Sequence, residues 1–163
     1  MIIRTAKIED LQRLLDIYNY EAENGISTFD LHPKTLKERE EWFYLHNKDN
    51  HPLIVAEDDG NVIGYASLSP YRDKEAYDQT VELSVYVDSN FRNKGAATAL
   101  MSEILKLAKS DERTKKIISV ITSGNETSCK LHQKFGFEYC GSITKVGKKF
   151  GKYLGIDNYS LDV

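Results

Sequence analysis

The stretch Val85-Tyr86-Val87-Asp88-Ser89-Asn90-Phe91-Arg92-Asn93-Lys94-Gly95-Ala96-Ala97-Thr98 constrains this chain more than any other. An alternating run from Gln79 to Asp88 reads as a strand. A polar turn with one glycine follows. Ala97, Leu100, Met101, Ile104, Leu105 and Ala108 then recur on one face of a helix over 96–109. A strand, a turn and a helix opening directly from the turn exclude both an all-helical and an all-strand fold. The turn leaves backbone N–H groups unpaired at a helix N-terminus, where the helix dipole is positive. Such an end is a ready phosphate site. Gly95 allows close backbone approach, Ala96 and Ala97 keep the first helical turn slim, and Thr98 offers a hydroxyl. Arg92 and Lys94 add positive charge. A single glycine makes neither the dinucleotide fingerprint nor a Walker loop, and an ordinary basic helix start remains the alternative.

The rest of the chain reads as elements of both kinds. Residues 2–6 form a short strand. Ile8, Leu11, Leu14, Leu15 and Tyr18 set a helix that runs to about Glu23 and stops before Gly25. Thr35-Leu36-Lys37-Glu38 is a capping box that opens a second helix through Leu45. Strands over 52–57 and 62–68 flank the hairpin turn Asp58-Asp59-Gly60-Asn61. A strand over 116–121, a helix over 126–135 ended by Gly136, and two further strands complete the order β-α-α-β-β-β-α-β-α-β-β. That order fits one α+β domain over 1–163, with a mixed, mainly antiparallel sheet and helices on both faces.

Composition excludes several classes. The 163 residues are 40% hydrophobic, enough for a real core. The net charge of −3 argues against a nucleic-acid binder. No apolar run approaches the roughly 18 residues of a membrane span, and the N-terminus has no signal-peptide block. Cys129 and Cys140 make neither a disulfide framework nor a zinc site, so no metal is expected. The expectation is a reduced, cytoplasmic protein.

Arg92-x-x-Gly95-x-Ala97 after a strand resembles the acetyl-CoA signature of the GNAT N-acetyltransferase superfamily. Asn125-Glu126-Thr127-Ser128, Leu131-His132 and Gly136-Phe137 resemble its second half. More closely, the chain resembles the phosphinothricin/methionine sulfoximine acetyltransferases. The blocks Ile17-Tyr18-Asn19, Ser27-Thr28-Phe29, Ala76-Tyr77, Thr80-Val81-Glu82, Ser84-Val85-Tyr86-Val87 and Val146-Gly147-x-Lys149-Phe150-Gly151 carry that match, from Arg4 to about Leu154. The resemblance implies a GNAT sheet of about seven strands, acetyl-CoA as cosubstrate and a homodimer. It implies that the backbone of Val85, Tyr86 and Val87 pairs with the pantetheine arm. Asn93 to Thr98 would cradle the pyrophosphate, and Asn125 and Ser128 would meet the far end of the arm. Asn125 can equally be a helix cap.

Strand alternation puts Glu82 on the face of Tyr86, beside that edge. Attack on a thioester needs a neutral amine, and a carboxylate can take its proton. In the resembling family the Glu of Thr-Val-Glu is the base. His132 stands where many members carry a tyrosine that protonates the leaving thiolate. It can also simply border the core. Direct transfer needs no cysteine nucleophile. The loop Pro70-Tyr71-Arg72-Asp73-Lys74-Glu75-Ala76-Tyr77 is rich in aromatic and charged side chains. Arg72 and Lys74 could hold an acceptor carboxylate, with Glu75, Ala76 and Tyr77 beside them and Phe29 opposite; a solvated hairpin loop is the alternative. Lys74 stands where the family often has Arg, and Tyr153-Leu154-Gly155 replaces its Trp-Leu-Asp. The expected activity is acetyl transfer to the primary amine of an amino acid or analogue. Acetylation of a protein amine, or a non-catalytic CoA-binding module, are the alternatives.

Overall fold

The computed structural model describes residues 1–163. Seven strands form one sheet: β1 Ile2–Thr5, β2 Leu53–Asp58, β3 Asn61–Pro70, β4 Thr80–Val87, β5 Lys116–Thr122, β6 Glu138–Lys149 and β7 Lys152–Asp162. Their order is β1-β2-β3-β4-β5-β7-β6. Only β4 and β5 run parallel, joined by a crossover through helix α3, Ala96–Ser110. Every other neighbouring pair is antiparallel. The expected α+β architecture is the one observed.

Helices cover both faces, so β2 and β3 carry continuous buried runs with side chains to both sides. On one face α3 places Leu100, Met101 and Ile104 against Ile54, Ile63, Val81 and Ile117. On the other, α1 (Leu11–Asn24) and α2 (Leu36–Phe43) bury Leu14, Ile17 and Phe43 against Leu53, Val55 and Tyr65. At about 25 cal/mol per Å² of buried apolar surface, these two layers supply the main driving force for folding. The short helix α4, Glu126–Lys134, packs Cys129 and Leu131 against the same core cluster that α3 covers.

Local chemistry sets the boundaries. The Thr35 hydroxyl accepts from the Glu38 N–H at 3.2 Å and the Glu38 carboxylate accepts from the Thr35 N–H at 2.8 Å, so the capping box forms as read. Asp59 and Gly60 both have positive φ in the β2–β3 turn, as a two-residue hairpin requires. Two helix ends differ from the periodicity. Ile8–Asp10 is a 3₁₀ turn rather than the start of α1, because the Asp10 carboxylate draws in the Lys7 N–H at 2.8 Å and the Arg4 guanidinium. The second helix stops at Phe43, short of Leu45, and a tight reversal with positive φ at Asn47 and Asp49 follows.

Candidate active site

The sheet opens where the parallel pair ends. β4 and β5 pair over three positions only, Thr80 with Lys116, Val81 with Ile117 and Glu82 with Ile118. Beyond Glu82, β4 stays with β3 as far as Val87, while β5 stays with β7 as far as Thr122. The Gln79 carbonyl accepts from the Lys115 and Lys116 N–H groups, toward β5, whereas the Asp88 N–H donates to the Ile63 carbonyl, toward β3. Alternate residues of a strand direct their backbone groups to opposite sides. Leu83, Val85 and Val87 therefore aim theirs into the opening, and Tyr86 aims its own at β3. The Tyr86 ring stacks on Tyr65 at 5.5 Å and meets Tyr18 edge-on.

This wedge opens into a cleft of about 890 Å³, within the range of small-molecule sites. One end is the turn before α3. Asn93 and Gly95 have φ of 60° and 86°, and Gly95 needs the left-handed conformation that glycine adopts freely. No side chain caps α3. Its first helical bond runs from the Ala99 N–H to the Gly95 carbonyl at 3.0 Å, so the N–H groups of Ala96, Ala97 and Thr98 precede the ladder. Gly95, Ala96, Ala97 and Thr98 all line the cleft, as does Asn93. Nothing lies within 4 Å of where a Gly95 Cβ would stand, which leaves room for a ligand. The residues present fit a phosphate-bearing thioester with an amide-containing arm.

The turn's cations are placed differently from the expectation. Arg92 lines the cleft but is ion-paired with Glu21, a carboxylate buried on α1. Lys94 lies outside the lining, with its Nζ 5.2 Å from the Phe91 ring centre. Asn125, at the other wall, caps α4 by accepting the Ser128 N–H at 3.2 Å with its Oδ1. Both Asn125 and Ser128 line the cleft.

Glu82 sits at the vertex of the wedge and lines the cleft. No cation pairs with it and no side chain hydrogen-bonds it. Burial alone raises its carboxyl above the usual range, because desolvation disfavours the charged form. Its cross-strand neighbour Ser69 is engaged elsewhere, with its Oγ 2.8 Å from His46 Nε2. His46 is buried and neutral, pushed down to about 4 by desolvation, with Nδ1 2.8 Å from the Trp42 carbonyl. The Nδ1–H must donate to that carbonyl, so Nε2 accepts the Ser69 hydroxyl proton.

His132 shows the same arrangement on the opposite face. It is buried, its Nδ1 is 2.7 Å from the Ser128 carbonyl and its Nε2 is 2.8 Å from Ser119 Oγ. Desolvation holds its pKa below the usual value. Nδ1–H donates to the carbonyl and Nε2 accepts from Ser119. Ser119 lines the cleft at the first position past the last β4–β5 pair. Sequence reasoning passed over it; a serine between Ile117 and Ile121 on an inward face was the available signal.

The 70–77 loop, expected to hold the acceptor, is not drawn into the cleft. Arg72 lies against the rings of Tyr71 and Tyr77, 4.9 and 5.7 Å from their centres. None of Arg72, Lys74, Glu75, Ala76 and Tyr77 lines the cleft, because the connection packs on its own aromatic side chains. Phe29 does line it, from the segment after α1. Lys149 holds that segment. It is buried, and its Nζ donates to the carbonyls of Thr28 and Glu21 at 2.9 and 3.3 Å.

Residues 11–137 match the family model described as the acetyltransferase (GNAT) family. The chain belongs to the GNAT acetyltransferase family. The L-methionine sulfoximine/L-methionine sulfone acetyltransferase of Pseudomonas aeruginosa is 35% identical over 162 residues, covering 99% of this chain and 94% of that protein. A GNAT superfamily phosphinothricin acetyltransferase from Sinorhizobium meliloti, crystallised with acetyl-CoA, superposes with a TM-score of 0.94 at 31% identity, over 99% of this chain and 88% of that one. A ribosomal-protein-alanine N-acetyltransferase from Brucella melitensis superposes with a TM-score of 0.96 at 37% identity, over the whole of both chains. This GNAT protein is accordingly an N-acyltransferase, and its relatives carry the phosphinothricin/methionine sulfoximine names that the sequence blocks resemble.

Proposed function

We propose that this enzyme transfers the acetyl group of acetyl-CoA to the primary amine of a small amino acid or analogue, of the methionine sulfoximine or phosphinothricin kind, by direct attack. The observation that carries the reading is an unpaired carboxylate, Glu82, at the vertex of a wedge lined by free strand backbone. The bound cosubstrate supplies an activated acetyl thioester. Val85 and Val87 offer backbone partners to its arm, Asn125 and Ser128 face them across the wedge, and the N–H groups from Ala96 to Thr98 receive the pyrophosphate. Glu82 takes a proton from the acceptor ammonium or from the attacking amine, directly or through water, and returns it to solvent. Its raised pKa makes it a stronger base than an exposed glutamate. His132 is a positioning residue. As a neutral ring with Nε2 accepting, it fixes the Ser119 hydroxyl and ties α4 to β5. No side chain needs to protonate the leaving sulfur, because a thiol of pKa about 8.5 exchanges its proton readily with solvent.

Phe29 packs the acceptor's side chain in this reading. The enzyme works as a homodimer in a reducing, cytoplasmic compartment. Two observations support that: Cys129 and Cys140 are both free, and the edge strand β6 with its hairpin exposes Tyr139, Ile143, Val146, Phe150 and Tyr153. The likeness to the Brucella protein keeps a peptide amine as the second reading.

The test is thiol release from acetyl-CoA with an acceptor panel: methionine sulfoximine, phosphinothricin, common amino acids, and a peptide with N-terminal alanine. The amino-acid analogues are expected to turn over with kcat/KM at least about tenfold above the peptide, a difference of about 1.4 kcal/mol. The reverse order would replace the small-molecule reading with the peptide one.

A further inference from the structure

We propose that His46 is a positioning residue for the base: by taking the hydrogen of the Ser69 hydroxyl, it withholds from Glu82 the donor that stands directly across the strand pair. The inference rests on the reading of Glu82 as the base and adds the device that keeps that carboxylate without a donor.

Ser69 on β3 is paired with Glu82 on β4. Residues opposite one another in an antiparallel pair share a face, with Cβ atoms about 4.5–5.5 Å apart. A serine hydroxyl at that position can rotate toward a glutamate carboxylate and donate to it. Here it is turned away. Ser69 Oγ lies 2.8 Å from His46 Nε2, and His46 Nδ1 lies 2.8 Å from the Trp42 carbonyl oxygen. A carbonyl only accepts, so the single hydrogen of the neutral ring sits on Nδ1 and Nε2 is an acceptor. Serine has one hydroxyl hydrogen, and Nε2 takes it.

The surroundings of the ring keep it in that state. His46 lies just past the end of α2 and is buried. Its ring is 4.5 Å, centre to centre, from that of Trp42, and the Arg39 guanidinium lies over the same Trp42 ring at 3.4 Å. The charged and titratable groups that face His46 are Arg39 and His51, and both oppose a charge on it. A protonated His46 would release the Ser69 hydrogen, whereas a ring pushed down to about 4 retains it at neutral pH. On the other side, Glu82 has Ser69 and Ile118 as its strand neighbours and Tyr86 further along its own face of β4. Burial is the only influence on its carboxyl.

A hydrogen bond donated to a carboxylate favours the charged form and lowers its proton affinity. Withholding that bond leaves Glu82 the stronger base for an amine proton. His46 acts on Glu82 only through the direction of one hydroxyl hydrogen.

The test follows the titration of Glu82 by carbon-13 NMR of labelled glutamate carboxyls, with its resonance assigned by its loss in Glu82→Gln. His46→Phe and His46→Leu each remove the acceptor, one with a ring and one without. In both, the freed hydroxyl should turn to Glu82 and lower its midpoint by about one pH unit, as a hydrogen bond to a charged group allows. Ser69→Ala should leave the midpoint at its wild-type value, since the hydroxyl is already turned away. Combining Ser69→Ala with either His46 variant should restore the wild-type midpoint, a reversal that a packing role for the ring would not produce. An unchanged midpoint in both His46 variants would overturn the proposal. So would a double variant that keeps the fall, or a Ser69→Ala midpoint that moves. The acid limb of kcat/KM for the amine should follow the same pattern through the four combinations. A carboxyl titration that follows it while the kinetic limb does not would count against Glu82 as the base and leave the hydrogen-bond assignment standing.

Discussion

Glu82 is isolated from every cation, although the chain has 22 lysines and arginines. Its position could be read from the sequence, because alternation along β4 fixes which residues share a face. Its isolation could not. It depends on Ser69 being bound to His46 and on Ile118 standing opposite, and these neighbours arrive from other strands. Arg92 makes the same point: its charge is legible, but the Glu21 that neutralises it lies 71 residues away. The raised Glu82 pKa has a consequence for stability. A group whose folded pKa exceeds its unfolded value contributes stability that is fully present below the unfolded pKa, near 4.5 for this carboxyl, and lost as pH rises through the folded pKa. The ionised Glu82 therefore weakens the fold at neutral pH. Glu82→Gln should melt at a higher temperature than wild type at pH 8, and the difference should shrink toward zero near pH 4. Melting curves across that range check it, and a variant less stable at pH 8 would mean that the carboxylate is satisfied in the fold.

At the scale of elements, strand–turn–helix, capping box and hairpin turn were legible because each is set by residues a few positions apart. The wedge was not, because strand separation depends on which partners β4 and β5 keep, and pairing register has no local signature. The contact between the hairpin β6–β7 and the segment after α1 belongs to the same class. Gly147 on β6 faces Phe29 so closely that a Cβ would lie 2.6 Å from the ring. Lys149, two residues on, bonds the same segment through the Thr28 carbonyl. Gly147→Ala should displace the Phe29 ring, lower kcat/KM for the amine by roughly tenfold, and leave KM for acetyl-CoA within about twofold. Its stability cost should be about 1–3 kcal/mol, as for overpacking elsewhere. Steady-state kinetics with each substrate varied in turn check it. An unchanged amine kcat/KM would remove Phe29 from the acceptor side.

The whole molecule is two apolar layers around a sheet that separates along one line, and the cleft is that separation. Fold class and the order of elements along the chain followed from the sequence pattern, whereas the order of strands within the sheet, with β7 between β5 and β6, did not. The cleft joins groups from both faces, with Glu82 and Tyr86 on the side of α1 and Ser119 and His132 on the side of α4. Such an arrangement lets a carboxylate approach an amine on one face while a thioester arm lies along the strand edge. General-base assistance of this kind is worth roughly 10²- to 10⁴-fold. The pH–rate profile of wild type and Glu82→Gln, with one good amine acceptor and saturating acetyl-CoA, tests this most directly. Glu82→Gln should lower kcat at neutral pH by roughly that factor, with acetyl-CoA affinity unchanged, and should recover activity at high pH where free amine is abundant. A neutral-pH kcat close to wild type, with chemistry rate-limiting in both proteins, would contradict the role of Glu82 and leave positioning as the source of catalysis.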